Sequence, residues 1–186
     1  MPLGRGVAVL GLALGLAAAP ARARVFLSVE EALRLAFPGC QVAKRTAFLN
    51  PGQRKEAAAL AGAEIPSALI DRSIATCGGK LGGTAYFDTH RVRTLSETLL
   101  VVVDPAGKVA RLEVISFREP EDYLPRGPWY AQFLGKGLDA NLDLKRSIRP
   151  VTGATLTANA TLAAVRRILA IHQVLSGTGQ AGGRPK

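Results

Sequence analysis

Histidine, cysteine, methionine and tryptophan are scarce in this 186-residue chain, which holds two His, two Cys, one Met and one Trp. So few cysteines and histidines leave no C-x-x-C pair, no C-x-x-C-H haem attachment and no spacing suited to zinc. A metal centre is therefore not expected. Neither a Ser-His-Asp arrangement nor a phosphate-binding P-loop can be found. Acid is short as well, 14 Asp and Glu against 24 Lys and Arg, for a formal charge of +10. Hydrophobic runs long enough to cross a bilayer are absent beyond the amino terminus.

What is present begins with an export signature. Arg5 precedes the apolar run Val7 to Ala19, and Ala21-Arg22-Ala23 offers a small-x-small cleavage site. The run falls short of the roughly 20 residues that span a membrane, so residues 1–23 read as a cleaved signal peptide, with an uncleaved anchor as the rival. An exported, periplasmic and membrane-associated protein with this charge is not expected to meet nucleic acid. Acidic proteins or anionic membrane surfaces are the better partners. In an oxidising compartment Cys40 and Cys77 are free to pair, worth about 3–4 kcal/mol, or to remain two thiols.

Residues 24–176 are expected to form a single domain, with residues 177–186, "SGTGQAGGRPK" from Ser176 onward, as a flexible tail. Residues 24–70 read as helical. Ser28 and Glu31 have capping-box spacing ahead of "VEEALRLAF", and "QRKEAAALAG" follows the turn Asn50-Pro51-Gly52 and stops at Gly62. The stretches "LGGTAYFDTHRV", "ETLLVVVD" and "KVARLEVISF" read as strands, the last two joined by Asp104-Pro105-Ala106-Gly107. Gly78-Gly79 suggests a turn, and Gly82-Gly83 a bulge or close backbone approach. A long irregular segment, "REPEDYLPRGPWYAQFLGKGL", carries Tyr123, Trp129 and Phe133, a satellite core or a stack for a flat ligand. The last helix spans about Leu156 to Leu175. Its apolar face comprises Ala158, Thr161, Leu162, Val165, Ile168, Leu169 and His172, with Arg166 and Arg167 off it. The fold class is α+β, a twisted and mostly antiparallel sheet flanked by helices.

The stretch "RPVTGATLTAN" sets Thr152, Thr155 and Thr157 around Gly153 and Ala154 where a loop becomes that helix. A helix start has unpaired N–H groups and partial positive charge, which a threonine oxygen can cap or a phosphate can occupy. "TGATLT" near the carboxyl end of an exported chain resembles the FMN-binding domain of bacterial respiratory flavoproteins. These include the flavin-carrying subunits of the sodium-translocating NADH:quinone oxidoreductase and of the ferredoxin:NAD oxidoreductase. Their motif is S/T-G-A-T-x-T/S. The resemblance extends from about Gly79 to Leu175, through "VVVDPAGKVARLEVISFREPED" and "WYAQFLGKGL".

The resemblance implies that Thr155 carries FMN through a phosphoester made by a flavin transferase from FAD. Thr152, Gly153, Ala154, Leu156 and Thr157 would flank the cofactor, and Glu119 would be the survivor of the family's glutamate loop. The chain departs from the family at Arg149, where an acid is usual, at Ala158, where serine is common, and in the loop Phe117 to Leu124. The expected role is an electron carrier between membrane and periplasmic redox proteins, not a stand-alone enzyme. The alternatives are a periplasmic flavin-dependent reductase, with His90 as proton relay, and an interaction module that has lost flavin. Arg91 or Arg93 beside the ring would favour its reduced anion, or they form a solvated strand edge. His172 reads as a packed residue, and Glu121 and Asp122 as loop solvation.

Overall fold

The computed structural model describes residues 24–181, with side chains to residue 177. The signal segment 1–23 and residues 182–186 of the tail lie outside it. In chain order the elements are β1 (Arg24–Val25), α1 (Val29–Ala36), β2 (Gln41–Phe48), α2 (Pro51–Ala61), β3 (Leu69–Cys77), β4 (Lys80–Arg91), β5 (Ser96–Val103), β6 (Val109–Phe117), α3 (Gly127–Tyr130) and α4 (Thr155–Ala181). Two short 3-10 turns cover Glu121–Tyr123 and Ala131–Phe133. The strands form one antiparallel sheet in the order β1-β6-β5-β4-β3-β2, so β2 to β6 are a meander and β1 returns to the far edge.

Both faces of the sheet are covered, unequally. Leu99, Val101 and Val103 of β5 point to the side where α2 and α4 pack, while Leu100 and Val102 point to α1 with Ala32, Leu33 and Phe37. Burial on both faces is why "TLLVVV" is apolar without alternation. Both sequence-read caps form: Ser28 and Glu31 exchange hydrogen bonds across the first turn of α1, and Gly62 ends α2 in the left-handed conformation. Asn50 is itself a cap, paired reciprocally with Gln53, so Pro51 opens α2 and does not belong to a separate turn.

Residues 24–70 are not simply helical. They hold β1, β2 and the start of β3, and β2 joins the same sheet as the rest of the chain. The strand "QVAKRTAF" is an edge with Lys44 and Arg45 exposed, and its weak apolar pattern is that of a guarded edge. Cys40 and Cys77 form a disulfide that continues the β2–β3 ladder, next to the Gln41–Thr76 pair. A β-carbon on Gly82 would lie 2.3 Å from the Cys77 sulfur, so that position must be glycine for the bond to sit there. Gly82 is also the extra residue of a bulge in β4, and a β-carbon on the adjacent Gly83 would lie 3.0 Å from the Val103 carbonyl.

Helix α4 extends past Leu175 to Ala181, through part of the segment read as a loose tail. Every member of its expected apolar face is buried except His172, which is half-buried. Arg166 and Arg167 do not sit in solvent. Arg166 donates to the carbonyls of Leu60 (3.2 Å) and Ala61 (2.9 Å) at the end of α2, and to those of Asp139 (3.1 Å) and Leu142 (2.9 Å). It thereby occupies acceptors that a helix carboxyl terminus leaves open. Among the described residues no helix is long and apolar enough to cross a membrane.

Candidate functional site

Thr155 opens α4, and the first bond inside the helix runs from the Ala158 N–H to the Ala154 carbonyl at 2.9 Å. The N–H groups of Thr155, Leu156 and Thr157 therefore have no acceptor among the described residues. No threonine caps them. The Thr155 hydroxyl is exposed and donates only at 3.4 Å to the Val151 carbonyl, the long end of hydrogen bonding. Thr152 is exposed. Gly153 turns with φ 84°, and a β-carbon there would meet nothing within 4 Å. Ala154 is buried, and Leu156 is 52% exposed beside the hydroxyl.

Thr157 does the opposite of Thr155. Its side chain is fully buried and donates to the Tyr123 carbonyl at 2.6 Å. That bond ties the helix start to the 3-10 turn of Glu121–Tyr123. The Arg93 guanidinium lies 4.6 Å from the centre of the Tyr123 ring, a cation–π contact. Glu119 fixes the backbone that carries Arg93: its carboxylate accepts from the N–H groups of Arg93 (3.1 Å), Thr94 (2.6 Å) and Leu95 (2.7 Å). Burial alone would raise the Glu119 pKa, but these donors outweigh it and hold the group below its usual value. Glu119 thus clamps the β4–β5 hairpin, and its carboxylate is occupied by that hairpin.

Arg149, where an acid stood in the motif's expected pattern, is gripped through its backbone. Its carbonyl accepts from the Trp129 indole at 2.7 Å, and its N–H donates to Gln132 at 2.8 Å, while the side chain is exposed. Trp129, Tyr130 and Phe133 are buried in the main core in edge-to-face contact, so Trp129 and Phe133 are neither a satellite nor an exposed stack. Tyr123 alone of the expected aromatics stands half-exposed near the motif. Glu119 reaches the 152–157 stretch only indirectly, through the Arg93 backbone, the Tyr123 ring and the Tyr123 carbonyl that holds Thr157.

A second polar group lies under α4. His90 is placed between Asp88 (2.9 Å) and Glu97 (3.1 Å), Arg167 holds Asp88 through two bonds of 2.9 and 2.8 Å, and Tyr130 and Thr161 donate to the wholly buried Glu97. Burial opposes a charge on His90, yet hydrogen bonds to Asp88 and Glu97 outweigh it and push the pKa up to about 9. Burial would likewise raise Asp88, but bonds from His90 and Arg167 hold it low. Burial, with the charge of Glu97, pushes Tyr130 up. The chain of alternating charges was not read from the sequence. Its signal was an acid, Glu97, at the head of a strand that is apolar from Leu99 onward, two acid or base residues on one face of β4, and an arginine in the middle of α4. Among the described residues no group of three such side chains could hold a metal. His172 is a packed residue: its Nδ1 bonds the Tyr86 hydroxyl at 2.9 Å, and burial, then Arg72, lower its pKa.

The backbone arrangement has a counterpart. The crystal structure of Shewanella oneidensis NqrC matches with a TM-score of 0.52, at 15% identity, over 73% of this chain and 84% of that one. The two share a fold. Identity at this level carries the architecture alone: an antiparallel sheet with helices, α+β. Neither a family model nor a curated protein matches the sequence.

Proposed function

We propose that this chain is an exported flavoprotein electron carrier with FMN esterified to Thr155. The observation that carries the reading is the helix start itself. The motif T-G-A-T-L-T puts one exposed, weakly engaged hydroxyl at the first residue of α4, with three unpaired N–H groups around it. A phosphate fits such a place through backbone donors and the helix dipole. Gly153, open on its β-carbon side, leaves room for a bulky neighbour. The fold shared with NqrC is a second support.

The residues suit the cofactor. Thr155 would hold it covalently, the N–H groups of Leu156 and Thr157 would face its phosphate, and Thr152 and Gly153 would border it. When bound, FMN supplies one- and two-electron transfer. The chain's own part is different: it orients the hydroxyl outward, fixes the helix through Thr157, and holds the Arg93 cation over Tyr123. Attachment from FAD would join the Thr155 oxygen to phosphorus, release AMP and lose the hydroxyl proton. A covalent link suits a compartment in which a dissociated cofactor is lost by dilution.

The carrier reading is favoured over a reductase by His90. The proton donor that a reductase would use has both ring nitrogens committed to carboxylates, and its side chain is 10% exposed. The test is intact mass after co-expression with a flavin transferase in an exporting host. Wild-type protein should gain the mass of FMN less one water. Thr155→Val should gain nothing, whereas Thr157→Val, whose hydroxyl faces inward, should still be loaded. Unmodified, colourless wild-type protein under these conditions refutes the reading and leaves the module without flavin.

A further inference from the structure

We infer that the end of the molecule around Thr155 is a docking surface for an acidic partner protein, recognised by a rim of exposed arginines. The rim comprises Arg24, Arg91, Arg93, Arg118, Arg126 and Arg149, all exposed. Backbone and side-chain contacts gather them. Arg91 pairs with Ser96 across the β4–β5 hairpin, and the Arg118 N–H bonds the Ser96 carbonyl at 3.0 Å. Arg24 pairs with Phe117 at the sheet edge and bridges to Glu121. Arg93 lies over Tyr123, whose carbonyl holds Thr157. Trp129 joins the last two, since its N–H bonds the Arg126 carbonyl at 2.8 Å and its indole the Arg149 carbonyl.

The charge of this group is not spent inside the molecule. Arg24 has Glu121 and Arg93 has Tyr123, but the side chains of Arg91, Arg118, Arg126 and Arg149 have no carboxylate, carbonyl or ring partner among the described residues. Elsewhere most arginines are engaged, Arg54 with Glu64, Arg111 with Glu113, Arg167 with Asp88, and Arg146 and Arg166 with carbonyls, while Arg34 makes no such contact among the described residues. The nearby acids offer little balance, because Glu119 is buried on three N–H groups and Glu121 is taken by Arg24, leaving Asp122. Six guanidiniums and no lysine suit bidentate carboxylates. Val25, next to Arg24, and Leu156, next to Thr155, stand exposed, and arginine mixed with apolar side chains is the make-up of a protein interface. Such a field raises the rate of encounter with an acidic surface.

The purpose of the surface, electron exchange at Thr155, rests on the proposed flavin site. Its charge does not, so the two fail separately. The probe is poly-L-glutamate titrated onto colourless protein at low salt. The variant Arg91→Gln/Arg118→Gln/Arg126→Gln should weaken binding about tenfold. The control Lys44→Gln/Lys55→Gln/Lys80→Gln removes equal charge from exposed positions elsewhere and should leave it nearly unchanged. Equal weakening by both variants overturns the inference, because net charge alone would then explain binding. So does rim-dependent binding to equimolar phosphatidylcholine–phosphatidylglycerol vesicles without rim-dependent binding to polyglutamate, which would make the surface a membrane contact. A missing FMN adduct together with rim-dependent polyglutamate binding refutes the flavin reading and leaves the docking surface standing.

Discussion

His90 shows how a single side chain can tie stability to pH. Its pKa is raised to about 9 because the hydrogen bonds and charges of Asp88 and Glu97 outweigh the cost of burying it. Relative to an unfolded chain, the folded protein binds this proton more tightly, so the contribution is full below about pH 6.5 and is lost as pH rises through about 9. The shift corresponds to up to about 3 kcal/mol. Thermal melts over that window should show wild-type stability falling relative to a His90→Asn variant, and parallel curves would refute the assignment. The sequence marks the histidine as a candidate relay but does not show its partners. Glu97 lies seven residues on and becomes its neighbour only when β4 and β5 pair. The helix start at Thr155, in contrast, was legible because a small-residue loop and the helix after it are written in consecutive residues.

At the level of elements, α2 and α4 depend on one guanidinium. Arg166 supplies donors to the last carbonyls of α2 and to the 139–142 loop. Arg166→Met keeps much of the aliphatic stem but strands those acceptors, at a cost of about 2–4 kcal/mol. A denaturant midpoint unchanged by the substitution would show that water replaces the guanidinium. The hairpin of β4 and β5 depends in the same way on Glu119. Glu119→Ala should speed hydrogen exchange at the amides of Arg93, Thr94 and Leu95 by about tenfold or more, consistent with loss of a charge-assisted bond; unaltered exchange would sink the clamp. Strands β5 and β6 could be read from their apolar runs and the turn between them. β2 could not, because an exposed edge carries Lys44 and Arg45 where a buried strand would alternate.

For the whole molecule, the sheet has no seam between an amino-terminal part and a core. β2 and β3 bring residues from before Leu69 into the same layer as β4 to β6, and the Cys40–Cys77 bond fastens that edge. Cys40→Ser/Cys77→Ser should lower stability by about 3–4 kcal/mol, or roughly 10 °C in Tm for a chain of this size. A melt unaffected by the double substitution, with the wild type shown to be oxidised, would refute that contribution. The sequence left pairing open since spacing alone does not bring two cysteines together; the β2–β3 register does. The α+β class was legible because helical and strand periodicities occupy separate stretches. The covering of both sheet faces was not, since α1 is short and its face is completed by Phe37 just beyond it.

The inward bond of Thr157 has one more consequence. An α-helix advances about 100° per residue, so hydroxyls two positions apart look to nearly opposite sides of the axis. With one of them pinned to the Tyr123 carbonyl, the bearing of the other is indexed. Residues could be added or removed between Arg149 and Gly153 without swinging the outward threonine from its compass point, provided that the pin survives.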